Sequence, residues 1–177
     1  EEFRPRSIFP EANSVIVLGL PVSLPVLETA PSIHYHELYK TINTLLDMHG
    51  YRLAEWLVRE GYPSVWIPRD GYGSITVLKE KPVAFFSHRH AALLAGLGTF
   101  GVNNTLLTPE YGPRVRFVTV LTAAPLPADP VMEEPVCTRC VSAWLFSTIR
   151  MVYVSRLAIR TNPALFSKPG IWSSCRY

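Results

Sequence analysis

The spacing of apolar residues divides the chain into recognisable elements. Ser14-Val15-Ile16-Val17-Leu18-Gly19-Leu20 is a near-continuous apolar run with three successive β-branched residues, bounded by Asn13 and Pro21. A strand buried on both faces carries that signature. From Ser32 to Glu60 the apolar residues Leu38, Ile42, Leu45, Leu46, Leu53, Trp56 and Leu57 recur mostly at three- and four-residue spacing, with His49 on the same stripe. This predicts an amphipathic helix of several turns with His49 in the core, ended by Gly61. His34 and His36, near the helix start, are expected to cap or pack. Short strands are predicted at 64–67 and 75–78 around a turn at 69–73, and Ser87 is positioned to cap a short helix running to Ala95. Residues 102–108 read as extended, and 116–121 as a valine-rich strand with a proline-bearing exit. The expected fold class is α/β, with a mixed central sheet flanked by helices in two or three layers.

Composition narrows the class. With 48% hydrophobic and 18% charged residues, a chain of 177 residues can bury a real core and is expected to form one domain with a short appendage. We place the α/β core at 1–136 and an irregular segment at 137–177. Sixteen prolines keep elements short. Glu1 and Glu2 open the sequence, and the first apolar run lacks a basic flank and a cleavage site, so no secretory signal is read. No run approaches the ~18 apolar residues of a membrane span. Three cysteines, with Cys137 and Cys140 in C-x2-C spacing, point to metal or redox use rather than to disulfides, and so to a cytoplasmic protein. All fourteen acids precede residue 141, against twelve Lys and Arg there, whereas the last 37 residues carry five basic residues and no acid. A basic tail can bind nucleic acid, but a tail foreign to the core explains it more simply. Nucleic acid and membrane are therefore not expected as partners.

The stretch from His88 to Pro125 carries the candidate chemistry. Gly96-Leu97-Gly98-Thr99-Phe100-Gly101 fits G-x-G-x-x-G, but a helix precedes it and an extended segment follows. A dinucleotide site needs the opposite order, and the position about twenty residues on, where a ribose-binding acid belongs, is Leu121. The glycines therefore end a helix. Candidate cofactor contacts are His88, His90, Gly96, Gly98, Phe100, Gly101, Asn103, Asn104 and Arg114: glycine backbone for close approach, an aromatic edge, and amide and guanidinium groups for polar fringes. The same residue types also make tight structural crossings. His88 and His90, at i and i+2, do not share a helical face, which argues against a two-histidine metal site.

Ala95-Gly96-Leu97-Gly98, Gly101 with Asn103-Asn104-Thr105-Leu106-Leu107, Thr108-Pro109-Glu110-Tyr111-Gly112-Pro113-Arg114, and Val120-Leu121-Thr122 with Ala124-Pro125-Leu126, followed by Cys137 and Cys140, occur in an order that resembles the epoxyqueuosine reductase family. Its relatives include reductive dehalogenases. The resemblance implies a nitroreductase-like α/β domain holding cobalamin and a following ferredoxin-like segment whose 4Fe-4S clusters feed it electrons. The implied activity is a corrinoid-dependent iron–sulfur oxidoreductase, with a small-molecule cofactor and an electron-donor protein as partners; self-association is left open. A non-catalytic cofactor-binding module, or a flavin-binding nitroreductase-like domain with Arg114 and Arg116 on phosphate, are the alternatives. No catalytic residue is assigned, because 78–86 lacks the family's aspartate and offers only Glu80. The metal ligands are Cys137 and Cys140. If Cys137 is the first of four ligands, the third and fourth fall on Ala143 and Ser147; if the two are second and third, the outer positions are Glu134 and Trp144. The ferredoxin segment thus reads as degenerate in either register.

Overall fold

A computed structural model of the chain describes residues 4–69, 86–138 and 157–160. In chain order the elements are α1 (Pro5–Ile8), β1 (Ser14–Pro21), α2 (Leu24–Leu27), α3 (Ile33–Arg59), β2 (Ser64–Ile67), α4 (His88–Leu94), β3 (Thr99–Phe100), β4 (Leu106–Leu107), β5 (Val115–Thr122) and β6 (Leu157–Arg160). The expected strand at 75–78 and most of the turn at 69–73 lie outside the described residues. The main sheet has the order β2-β5-β1-β6, with every described pairing antiparallel. β3 and β4 form a separate two-stranded hairpin. The α/β class is as expected.

Period-two alternation along β1 and β5 divides the core into two layers. Val15, Val17, Phe117 and Leu121 pack with Ala91, Ala92, Ala95, Leu97 and Leu106 on the α4 side. Ile16, Val118 and Val120 pack with Ile42, Leu46, Ala54 and Leu57 on the α3 side. The outcome is a three-layer arrangement that buries both faces of β1 over Ser14–Val17 and of β5 over Phe117–Thr122, which is why this part of the chain reads as continuous apolar runs.

The long helix begins at Ser32, whose side chain accepts from the Tyr35 N–H at 3.1 Å, and stops before Gly61, which has φ +89°. Its buried face is Ile42, Asn43, Leu46, Gly50, Ala54 and Leu57. The face is rotated from the expected stripe, so Leu45, His49 and Trp56 are exposed. His34 and His36 are exposed as well, and the capping role falls to Ser32. The physical reason lies at Gly50: a Cβ there would stand 3.1 Å from the Val118 side chain and 3.5 Å from Trp66, so the helix approaches the sheet along a groove of small residues that hydrophobicity alone does not reveal. A second difference concerns 102–108. Asn104 has φ +60° and the Asn103 side chain accepts from the Thr105 N–H at 3.1 Å, so 102–104 form the turn of the β3–β4 hairpin instead of an extended segment. β6 comes from the basic tail and pairs with β1, Val15 opposite Arg160 through Leu18 opposite Leu157.

Candidate functional site

The helix α4 starts at Ser87, whose Oγ caps the His90 N–H at 3.4 Å and also meets His90 Nδ1 at 2.6 Å. The Ser87 hydroxyl thus bridges the helix backbone and the His90 ring. The ring lies 5.0 Å from Phe100, centroid to centroid. His88 turns the other way: Nδ1 meets Thr119 Oγ1 at 2.9 Å on β5, and Nε2 lies 3.2 Å from the Pro68 carbonyl at the end of β2. These two histidines therefore tie α4 to the hairpin and to the sheet separately, as their i, i+2 spacing requires.

Burial, and then the neighbouring Arg89, hold the His90 pKa below the usual histidine value. A histidine whose pKa is depressed by folding contributes stability that is complete above the unfolded value of about 6.5 and is lost as pH falls through the folded one. The urea midpoint should therefore fall from pH 7 towards pH 5, and His90→Gln should flatten that part of the profile. An unchanged slope in the variant would show that other groups cause it.

Gly96 closes α4 with φ +73°, and a Cβ there would collide with the Pro130 carbonyl. A Cβ on Gly98 would collide with the Leu107 carbonyl. The two glycines thus let the helix end, the hairpin and the 125–138 segment pass one another at backbone contact. At Gly101 the neighbours are the side chains of Asn103 and Leu107, at 3.0 and 3.2 Å. The Asn104 carbonyl accepts from Arg89 Nη1 at 2.6 Å. The glycine loop is a chain crossing in which Gly96, Gly98, Gly101, Phe100, Asn103 and Asn104 are brought together by one hairpin.

Beside this crossing lies an open cleft lined by Gly19, Pro21, Leu97, Thr108, Glu110, Tyr111, Val115 and Phe117. Its walls are the ends of β1 and β5 on their α4-facing side and the approach to and exit from the hairpin. Thr108 and Gly112 exchange two backbone hydrogen bonds, 3.0 and 2.8 Å, and Thr108 Oγ1 accepts from the Tyr111 N–H at 3.2 Å, which shapes the 108–112 turn. Sequence reasoning quoted Leu97, Thr108, Glu110 and Tyr111 in its motifs without naming them as site residues; nothing in the sequence marks Gly19 and Pro21 beyond the end of an apolar run.

Arg114 is not part of this cleft. It continues the β1–β5 pairing opposite Val22, whose N–H donates to the Arg114 carbonyl at 2.7 Å, and it shares its parity with Arg116 and Val118, which face α3. Cys137 is half-buried, and the preceding Val136 N–H donates to Thr99 Oγ1 at 2.8 Å, which docks the cysteine segment on the hairpin. Cys140 lies outside the described residues, and among the described residues no three His, Cys, Asp or Glu side chains converge as a metal site. No described helix is long and apolar enough to cross a membrane.

No protein-family model and no curated protein sequence matches the chain. Among solved structures it is similar to an epoxyqueuosine reductase crystallised with a tRNA-Tyr epoxyqueuosine-modified stem loop: 21% identity, 80% of this chain and 37% of that one, TM-score 0.50. A selenomethionine-labelled epoxyqueuosine reductase gives 21% identity over 78% of this chain and 36% of that one, TM-score 0.46. A Bacillus subtilis epoxyqueuosine reductase gives 22% identity over the same shares, TM-score 0.47. The fold is thus epoxyqueuosine reductase-like, and the chain spans little more than a third of those proteins.

Proposed function

We propose that this chain is the α/β core of an oxidoreductase of the epoxyqueuosine reductase type, and that the cleft beside the glycine crossing receives one edge of a corrinoid. The observation that carries this reading is convergence: Leu97 from Ala95–Gly98, and Thr108, Glu110 and Tyr111 from Thr108–Arg114, come from separate sequence words yet line one cleft. The fold likeness supports it.

The donor set suits a flat apolar disc fringed with amides. Leu97, Pro21, Val115 and Phe117 offer apolar walls, while Tyr111 and Glu110 bring a phenol and a carboxylate to the rim for amide groups. A bound corrinoid supplies the redox-active centre; the protein supplies walls, orientation and exclusion of water. In this reading the glycine crossing builds the cleft rather than touching the ligand. No step is assigned to a 4Fe-4S cluster, because Cys137 is the only thiol among the described residues. The expectation of no nucleic-acid partner stands against the neighbour's tRNA stem loop, so an RNA stem loop belongs in the test.

Titration with cobalamin should give a saturable absorbance change near one equivalent per chain, and Glu110→Lys should weaken it roughly tenfold by placing an ammonium where an amide N–H is received. A wild-type protein without any saturable change overturns the reading. Purification with a flavin spectrum would favour the nitroreductase-like alternative. Salt-sensitive binding of a tRNA stem loop, lost on removing 141–177, would assign the basic tail to RNA.

A further inference from the structure

Gly19 is a glycine that neither its own backbone nor a neighbouring one calls for. Val15, Val17, Gly19 and Pro21 alternate along β1 and form one row on its α4-facing side. The two valines are 3% and 0% exposed, sealed in the core beneath α4, whereas Gly19 and Pro21 line the cleft. A third valine would suit the strand better, because glycine weakens a strand and leaves it no side chain to pack.

Two ordinary reasons for a glycine fail here. Among the described residues the glycines with positive φ are Gly61, Gly96 and Gly112, so the conformation at Gly19 is open to any residue. Nor is the position a chain crossing. A Cβ on Gly96 or Gly98 would run into a carbonyl oxygen, but a Cβ on Gly19 would meet side chains: Val115 Cγ1 at 3.0 Å and the Phe117 ring at 3.1 and 3.3 Å. Phe117 stands directly opposite Gly19 in the β1–β5 ladder, and Val115 stands opposite Pro21. Both lean over the space the glycine leaves, and both line the cleft. The remaining reason for a glycine in a strand is the close approach of a ligand.

We propose that Gly19 determines the shape of ligand the cleft admits: with Val115 and Phe117 leaning across it, the strand makes a low apolar floor on which a planar edge lies flat. This role rests on the cleft being the corrinoid site, and it adds which residue sets the shape of that site. Any side chain at position 19 would act twice. It would take its own volume from the cleft, and it would displace Val115 and Phe117, because carbon atoms pack best at about 3.5–4.0 Å.

The test is titration of cobalamin into the full chain and its variants, followed by absorbance, with thermal unfolding of each in the absence of cobalamin. Wild type should saturate, Gly19→Ala should bind roughly tenfold or more weakly, and Gly19→Val should show no saturable change, since one methylene in an apolar pocket is worth about 10–200-fold. Gly50→Ala is the control for a general loss of packing. Its Cβ would come as close, 3.1 Å from Val118 Cγ2, but on the α3 side of the sheet. It should melt lower than wild type and bind cobalamin equally well. Should Gly19→Ala fail to fold, Val115→Ile probes the same space, because isoleucine extends Cγ1, the atom nearest the glycine; it should weaken binding about tenfold. Wild-type affinity in the folded variant at 19 or 115, or an equal loss in Gly50→Ala, overturns the role of Gly19 and leaves the corrinoid reading intact. No saturable change in wild type overturns that reading, and the role of Gly19 with it.

Discussion

Gly98→Val is expected to unfold the protein or to cost more than about 3 kcal/mol, at the upper end of what added bulk does in a packed interior. A Cβ at this position meets the Leu107 carbonyl oxygen and lies 2.8 Å from its carbon and 3.2 Å from the Thr108 Cα. All three are backbone atoms, so no side chain can rotate away. Moving Leu107 breaks the register that pairs Thr99 with Leu107 and Phe100 with Leu106, and with it the turn at Thr108 that shapes the cleft. Gly101→Ala supplies the contrast: its Cβ would meet only the ends of Asn103 and Leu107, at 3.0 and 3.2 Å, which can yield. Urea denaturation should show Gly101→Ala within about 1 kcal/mol of wild type and Gly98→Val far below it. Similar midpoints for the two would mean that the hairpin is free to shift, and that the crossing is not a close one.

How far the site could be read from sequence follows from what each residue touches. Ser14–Leu20 and Arg116–Leu121 were legible because both faces are buried over Ser14–Val17 and Phe117–Leu121, which leaves a nearly unbroken apolar record. Ser87 was legible as a cap because a hydroxyl before a short apolar run has few other uses, whereas at the start of α3 the nearby His34 and His36 drew the capping role that Ser32 fills. The glycines announced a close approach, but whether the approaching group is a ligand or another stretch of chain depends on residues 107 and 130, and no local pattern reports that. The buried face of α3 was misplaced because two of its members, Asn43 and Gly50, are not hydrophobic: one is a fully buried amide and the other makes room for Val118 and Trp66. Arg114 looked like a partner of the glycine loop because it is near in sequence. Strand parity sends it to the opposite side of the sheet, a consequence visible only once the β1–β5 register is known.

Ser14→Ala should cost about 2–4 kcal/mol although it removes one oxygen atom. Ser14 is fully buried, its Oγ donates to the Ala124 carbonyl, and it accepts from the Leu126 N–H at 3.1 Å. Alanine leaves a buried acceptor and a partly buried donor without partners, each worth about 1–3 kcal/mol. Around it Asn13 N–H donates to the Thr122 carbonyl at 2.9 Å, Ala123 N–H to the Pro63 carbonyl at 2.9 Å, and Ala124 N–H to Thr122 Oγ1 at 3.1 Å. Together these bonds turn the chain leaving β5 onto the path that carries Pro130 over Gly96 and Val136 to Thr99. The variant should therefore lose order in the cysteine segment as well as stability. Faster alkylation of Cys137 in Ser14→Ala, together with a lower urea midpoint, is the expected pair of results, while Asn13→Ala, which removes an exposed side chain, should change neither by much. A lower midpoint with unchanged alkylation would separate the latch at Ser14 from the placement of Cys137.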